Sequence, residues 1–322
     1  MRVLIDSLFA ATTPALGYGF LAVLAALLAG SGASLLLPLL KPGGDYRNLR
    51  QRVISWWVIV ALLTAALLLG WQATALLFGF ISFLALREFL SLAPARREDR
   101  LVIALSYLTI PVSYLFVFLH IYMFYLVFVP VWVFLATPFL MAMIGQTRGY
   151  LTSTAVFHWG TVTCVYNIGF IPLLMLVPRW DAPQAGALGL VFMLLLATEA
   201  NDVFQYLTGK LFGRRKITPK VSPNKTWEGF LGGWVLTAGL ILIVGPIFTP
   251  LHGWGLVIVA LSLPVAGFAG DVTFSAIKRD IGVKDTSRLI PGHGGVLDRI
   301  DSLTFTAPLY FHLLALFALK TY

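Results

Sequence analysis

The sequence predicts an all-α, polytopic membrane protein, and three observations predict it. The 322 residues are 59% hydrophobic and only 11% charged, whereas soluble domains are about 45–50% apolar and about 25% charged; the mean hydropathy is +0.87. Apolar runs of about 20 residues recur along the chain, each able to cross roughly 30 Å of hydrocarbon as a helix. Lysine and arginine collect in alternate breaks between those runs, which is how membrane proteins encode their threading.

Taken in order, the elements follow from the breaks. Met1–Leu16 carries Arg2, Asp6 and Pro14 ahead of the first long apolar run. It lacks a short basic segment leading straight into an apolar one, so the first helix is expected to be retained. Polar or Pro/Gly breaks then divide the chain into about ten spans, near 17–40, 53–70, 72–93, 101–118, 122–145, 154–177, 187–208, 230–249, 254–277 and 302–320. Loops 41–52, 94–100, 146–153, 209–229 and 278–301 hold 4, 3, 1, 6 and 5 basic residues. The opposite connections, near 71, 120, 178–186 and 250–253, together hold one, Arg179. The five basic loops are therefore expected to face the cytoplasm, with both termini outside it.

The 23 Lys+Arg against 14 Asp+Glu give a formal +9. Placed in short loops, this charge speaks for topology and anionic ligands rather than for nucleic acid. Cys164 is the single cysteine, which excludes internal disulfides and thiolate metal clusters; it sits in an apolar run as a small core residue. We divide the chain into an N-terminal multispanning region, 1–186, and a region from 187 to 322 in which ionisable residues enter the spans. In the first region only Arg87–Glu88 stands out, and it is expected to be a snorkelling, mutually screened pair.

Carboxylates within spans are expensive and usually face a cavity or a partner. Glu199, Asp202 and Tyr206 follow i, i+3, i+7 spacing and share a helix face. Asp271, Ser275 and Lys278 do so at i, i+4, i+7. Asp298 and Asp301 stand where the last helix begins, the end that favours anions. Each of these faces could instead serve only to join helices. Between them run two loops, Gly213–Gly233 with Ser222, Lys225, Thr226 and Glu228, and Lys278–Asp301 with Arg279, Lys284, His293, Gly294, Gly295 and Arg299. Nine of the latter's 24 residues are charged. Cations and glycine backbone suit a polyphosphate, and carboxylate oxygens suit Mg²⁺. No GxxxxGK[ST] occurs, and His293 has no His or Cys at zinc-ligand spacing.

The run SAIKRDIGVKDTSRLIPGHGGVLDRID, Ser275–Asp301, resembles the signature of the CDP-diacylglycerol synthases (phosphatidate cytidylyltransferases), with its spacing intact. SPNKTWEGFLGG, Ser222–Gly233, and DVFQYLTG, Asp202–Gly209, resemble the two preceding blocks of that family. Gln205 departs from the pattern, which usually has a small residue there. The likeness covers Asp202–Asp301 and carries little of the N-terminal half.

The resemblance implies a nucleotidyltransferase at the cytoplasmic ends of the last four spans of a bacterial-type inner membrane. It would make CDP-diacylglycerol and pyrophosphate from CTP and phosphatidate. It implies Mg²⁺, with room for a second cation, at Asp271 and Asp298, with Asp301 the weaker candidate. Lys278 and Asp202 join the two aspartates as catalytic candidates. Ser222, Lys225, Ser275, Arg279, Lys284, His293, Gly294, Gly295, Arg299 and Tyr206 would bind substrate. Membrane lipids are implied partners, nucleic acid is not, and a homodimer is left open. One alternative is CMP transfer to an isoprenoid or ether-lipid phosphate. An ion-coupled transporter is the other, which would be expected to show related halves with interrupted spans; no such repeat is visible.

Overall fold

In the computed structural model, which describes residues 13–40, 45–94, 96–176 and 184–318, the chain is an all-α bundle with one small hairpin. The helices are α1 (Pro14–Leu40), α2 (Arg47–Leu68), α3 (Trp71–Leu92), α4 (Arg100–Phe118) and α5 (Tyr122–Met143). Then follow α6 (150–173), α7 (Gly186–Phe212), α8 (Trp227–Phe248), α9 (Gly253–Asp280) and α10 (Leu297–Ala318). Nine of them are long and apolar enough to cross a membrane, which makes the chain an integral membrane protein. The remaining run, α6, is continuous but interrupted by a π turn at Val162–Tyr166, and α5 holds another at Phe128–Val133. Both fall where prolines or polar side chains disturb the helical ladder, a common setting for π turns. All ten expected runs thus recur as helices, with ends shifted by a few residues, and nine of them meet the length and apolarity of a membrane span. Arg179, Met1 to Thr12 and the last four residues lie outside the described residues, so the reading of the N-terminus does too.

Tertiary contacts bring the five basic loops to one end. Arg52 donates through Nε to the Gly292 carbonyl at 3.1 Å, and Ser55 donates to the Pro291 carbonyl at 2.8 Å. Arg96 donates to the Gln146 carbonyl at 2.6 Å, and Arg279 to that of Val221 at 3.3 Å. At the other end Trp71 packs on Phe118 and His120. This is the alternation the loop charges require.

Two features were not foreseen. The 209–229 loop contains an antiparallel hairpin, β1 (Lys216–Thr218) with β2 (Ser222–Thr226). Thr226 ends it by capping α8, accepting from the Gly229 N–H at 3.1 Å, while Glu228 accepts from the N–H groups of Arg214 and Arg215. The glycines of the GFLGG run serve packing: Gly229 and Gly233, four apart, let α8 lie directly on α7 at Gln205. Gln205 is buried there and fills the space above Gly233, so the unusual residue is matched by the missing side chain opposite. Asn201 ties the layer together, donating to the Pro264 carbonyl of α9 at 3.1 Å and accepting from Thr237 of α8 at 3.4 Å.

Candidate active site

Two cavities open at the basic end and share Asp202 and Tyr206. The first, of about 540 Å³, lies among α7, the hairpin and α9, and is lined by Ser222, Lys225 and Asp271. The second, of about 800 Å³, lies among α2, α7 and the loop before α10, and is lined by Arg52, Lys284, His293, Gly294 and Arg299. Of the residues expected from sequence, Ser275, Lys278, Arg279, Gly295, Asp298 and Asp301 belong to neither wall. They stand behind the walls, and their bonds show what they hold.

The aspartates follow one pattern. Asp271 Oδ1 accepts from the Ser275 hydroxyl at 3.2 Å, and its Oδ2 lies 2.5 Å from Lys225 Nζ. Asp298 Oδ2 accepts from the Thr286 N–H (2.8 Å), the Thr286 hydroxyl (2.9 Å) and the Gly295 N–H (2.9 Å), and its Oδ1 lies 2.7 Å from Lys278 Nζ. In each carboxylate one oxygen is oriented by neutral donors and the other is neutralised by a lysine. Asp202 Oδ2 accepts from Ser302 at 3.2 Å, whereas its Oδ1 is buried with no partner among the described residues. Asp301 is buried beside them, accepting the Ser302 N–H at 2.8 Å. Gly270 makes that closeness possible, since a side chain there would overlap the Asp301 carbonyl.

The loop is shaped by Gly292 (φ 74°) and Gly294 (φ 81°), both in the left-handed region that favours glycine. A side chain on Gly294 would also overlap Asp298. Gly295 N–H is committed to Asp298, so it orients the aspartate and is not free for a phosphate. Arg279 likewise braces the backbone, donating to the carbonyls of Val221 and Val283. The His293 ring lies perpendicular to that of Trp56, with centroids 6.0 Å apart. Burial first, and then Arg299 and Arg52, push its pKa down to about 4. It faces the cavity as a neutral imidazole at neutral pH.

The largest correction concerns Glu88. It is no snorkelling partner of Arg87: Arg87 is exposed and Glu88 is only 7% exposed. Glu88 Oε1 accepts from the Ser287 hydroxyl (2.7 Å) and the Val296 N–H (3.0 Å). Its Oε2 accepts from the Thr286 hydroxyl (3.0 Å) and the Leu297 N–H (2.9 Å). A helix of the N-terminal half therefore grips the loop that carries Asp298. The sequence held one sign of this, a carboxylate inside an apolar run; Arg52 and Trp56 gave none.

The donor set suits a hard cation. Mg²⁺ takes one or two carboxylates and fills its remaining positions with water and phosphate oxygens. Asp202, with an unpartnered buried oxygen, and Asp271, with one oxygen held only by a lysine, offer that kind of ligand on one cavity. Among the described residues no group of three or more His, Cys, Asp or Glu is arranged as an all-protein cage.

Residues 50–317 match the model of the cytidylyltransferase family. An uncharacterized protein, YnbB, of Escherichia coli (strain K12) is 41% identical over 261 residues, covering 81% of this chain and 85% of that protein. Phosphatidate cytidylyltransferase of Brucella abortus biovar 1 (strain 9-941) is 38% identical over 154 residues, covering 48% and 56%. That of Haemophilus influenzae (strain ATCC 51907 / DSM 11121 / KW20 / Rd) is 41% identical over 133 residues, covering 40% and 46%. The match thus spans about half the length of the phosphatidate cytidylyltransferases.

Proposed function

The chain belongs to the cytidylyltransferase family, and we propose on that premise that it transfers CMP from CTP to a membrane lipid phosphate, phosphatidate in the first place. The observation that carries the reading is the meeting of two cation-lined cavities at Asp202 and Tyr206. Two phosphorylated substrates that must react need two such chambers with a common wall. We assign the triphosphate to the chamber of Ser222, Lys225 and Asp271, and the lipid phosphate to that of Arg52, Lys284 and Arg299.

In the reaction an oxygen of the lipid phosphate attacks the α-phosphorus of CTP. The bond from that phosphorus to the bridging oxygen breaks, and pyrophosphate leaves. No covalent enzyme intermediate is needed, so the protein's work is positioning and charge neutralisation. Lys225 and Lys278 pair with Asp271 and Asp298, and a triphosphate would offer these lysines further anionic oxygens. Asp202 and Asp271, on one wall, would then hold Mg²⁺, with Asp298 and Asp301 behind them. The bound ion supplies charge neutralisation across the phosphate oxygens. Tyr206 and His293 line the walls as hydrogen-bonding groups. The basic end faces the cytoplasm of a bacterial-type inner membrane, where CTP is found.

Purified protein given Mg²⁺, radiolabelled CTP and a panel of lipid phosphates tests the reading; a CDP-lipid with stoichiometric pyrophosphate is expected. Asp271→Asn should lower turnover at least about a hundredfold, since it removes the partner of Lys225 and a charged ligand together. Near-normal turnover at saturating Mg²⁺ would remove Asp271 from the site. A second reading, CMP transfer to an isoprenoid or ether-lipid phosphate, is favoured by one observation. The match to YnbB covers 81% of the chain, while those to the phosphatidate enzymes cover less than half. The panel separates the two.

A further inference from the structure

We propose that an apolar groove between α1, α2 and α7 receives an acyl chain of the lipid phosphate, so that the N-terminal half reads the tail while the C-terminal half acts on the head. This assignment rests on the CMP-transfer reading and places the lipid within it. The groove encloses about 140 Å³ and is lined by Phe20 and Val23 of α1, Val60 and Leu63 of α2, and Phe192 and Leu196 of α7. At its polar end stand Trp56 and Glu199, and the same two side chains line the second cavity. That cavity carries four cations, Arg52, Lys284, Arg288 and Arg299, against three carboxylates, Glu199, Asp202 and Asp285.

The sequence of linings matches one kind of molecule. An anion-binding chamber passes through a short polar seam into a hydrocarbon slot, as a lipid phosphate passes from phosphate through ester-linked glycerol to a fatty chain. A nucleotide has no use for the slot, and a plain hydrocarbon has none for the arginines. The groove is too small to enclose a whole chain, so it takes the methylenes nearest the glycerol while the remainder lies in the bilayer. A tail leaving one apolar medium for another gains little hydrophobic free energy. The groove therefore acts by fit, selecting among tails rather than tightening binding in general. Each methylene packed or excluded is worth at most about fourfold.

Two measurements on the full-length protein test this. In the first, the protein is labelled with a phosphatidate bearing a diazirine on the acyl chain close to the glycerol, irradiated, and mapped by mass spectrometry. Labelling within α1, α2 or α7 around Phe20, Val60 or Leu196, competed by dioleoyl phosphatidate, is expected; competed labelling confined to other helices overturns the proposal. In the second, Val60→Trp and Leu196→Trp narrow the slot. The ratio of kcat/KM for dioleoyl over diacetyl phosphatidate, which lacks those methylenes, should fall at least tenfold in both, while Leu76→Trp, on the outward face of α3, should leave the ratio alone. An unchanged ratio in both groove variants overturns the proposal. The two readings fail differently: labelling in the groove without any CDP-lipid formation removes the CMP-transfer reading and keeps the tail site. CDP-lipid formation with labelling elsewhere does the reverse.

Discussion

At the scale of single residues, the site is organised by carboxylates that act on one another's surroundings. The Thr286 hydroxyl lies 3.0 Å from Glu88 Oε2 and 2.9 Å from Asp298 Oδ2 and shares its one proton between them, so the loop is held between a carboxylate from α3 and one from α10. Glu88→Gln should break this. An amide oxygen can serve two of the four donors, but its NH₂ group then faces the other two. Hydrogen bonds to a charged partner contribute about 1.5–3 kcal/mol each. Turnover should fall at least tenfold, with Arg87→Ala nearly neutral, in steady-state assays on detergent-purified protein. Equal effects would restore the screened-pair reading. His293 gives a pH test. Its folded pKa of about 4 lies below the ordinary value near 6.5, so the unfolded chain binds more protons between those limits and stability is lost as pH falls through that window. His293→Gln should flatten the decline in melting temperature between pH 6.5 and 4; an unchanged slope would place the acid sensitivity elsewhere. Glu88 shows why residue roles are only partly legible from sequence. Its four partners lie 198 to 209 positions away, beyond the reach of any local spacing. Asp202, Asp271 and Lys225 were legible because helical spacing and basic loops are local signals.

At the scale of elements, the helices owe their placement to length and apolarity, and their separations to small residues. Those two properties differ in legibility. Span length is read directly from runs and breaks, which is why all ten helices were foreseen. The glycines of SPNKTWEGFLGG read equally well as phosphate-approaching backbone, and only the neighbouring helix shows that Gly229 and Gly233 are packing surfaces. The hairpin was also hidden, because its two short strands gain their register from Arg215, whose carbonyl accepts the Trp227 N–H at 2.9 Å, and from the α8 cap. Gly233→Val should push α7 from α8 at Gln205, an overpacking that costs about 1–3 kcal/mol. Adding Gln205→Ala should return most of that loss, since the two side chains compete for one space. Thermal unfolding of both single variants and the double variant measures the coupling. Simple additivity would mean that the two positions do not share that space.

At the scale of the whole molecule, the question is whether the N-terminal half is scaffold or part of the enzyme. Sequence likeness places the signature blocks between Asp202 and Asp301, which invites a division into a passive first region and a catalytic second one. The contacts argue against passivity. Arg52 and Ser55 hold the loop at Gly292 and Pro291, Glu88 holds it at four further donors, and Phe170 and Tyr122 pack on Phe311 of α10. Residues 187–322 alone would keep Asp202, Asp271 and Lys225 yet lose every one of these restraints. The loop carrying Asp298 would then pay its ordering entropy without compensation, about 1–2 kcal/mol per residue fixed. We therefore expect residues 187–322, expressed alone, to insert into membranes but to lose at least about a hundredfold in CMP transfer. Co-expression with residues 1–186 should restore measurable activity, because the apolar contacts between the halves can re-form in the bilayer. Co-expression with a 1–186 fragment carrying Glu88→Gln should restore less. Full activity of 187–322 by itself would show that the first six helices only surround the site, and the grip of Glu88 on the loop would then be structural ornament rather than part of the machinery.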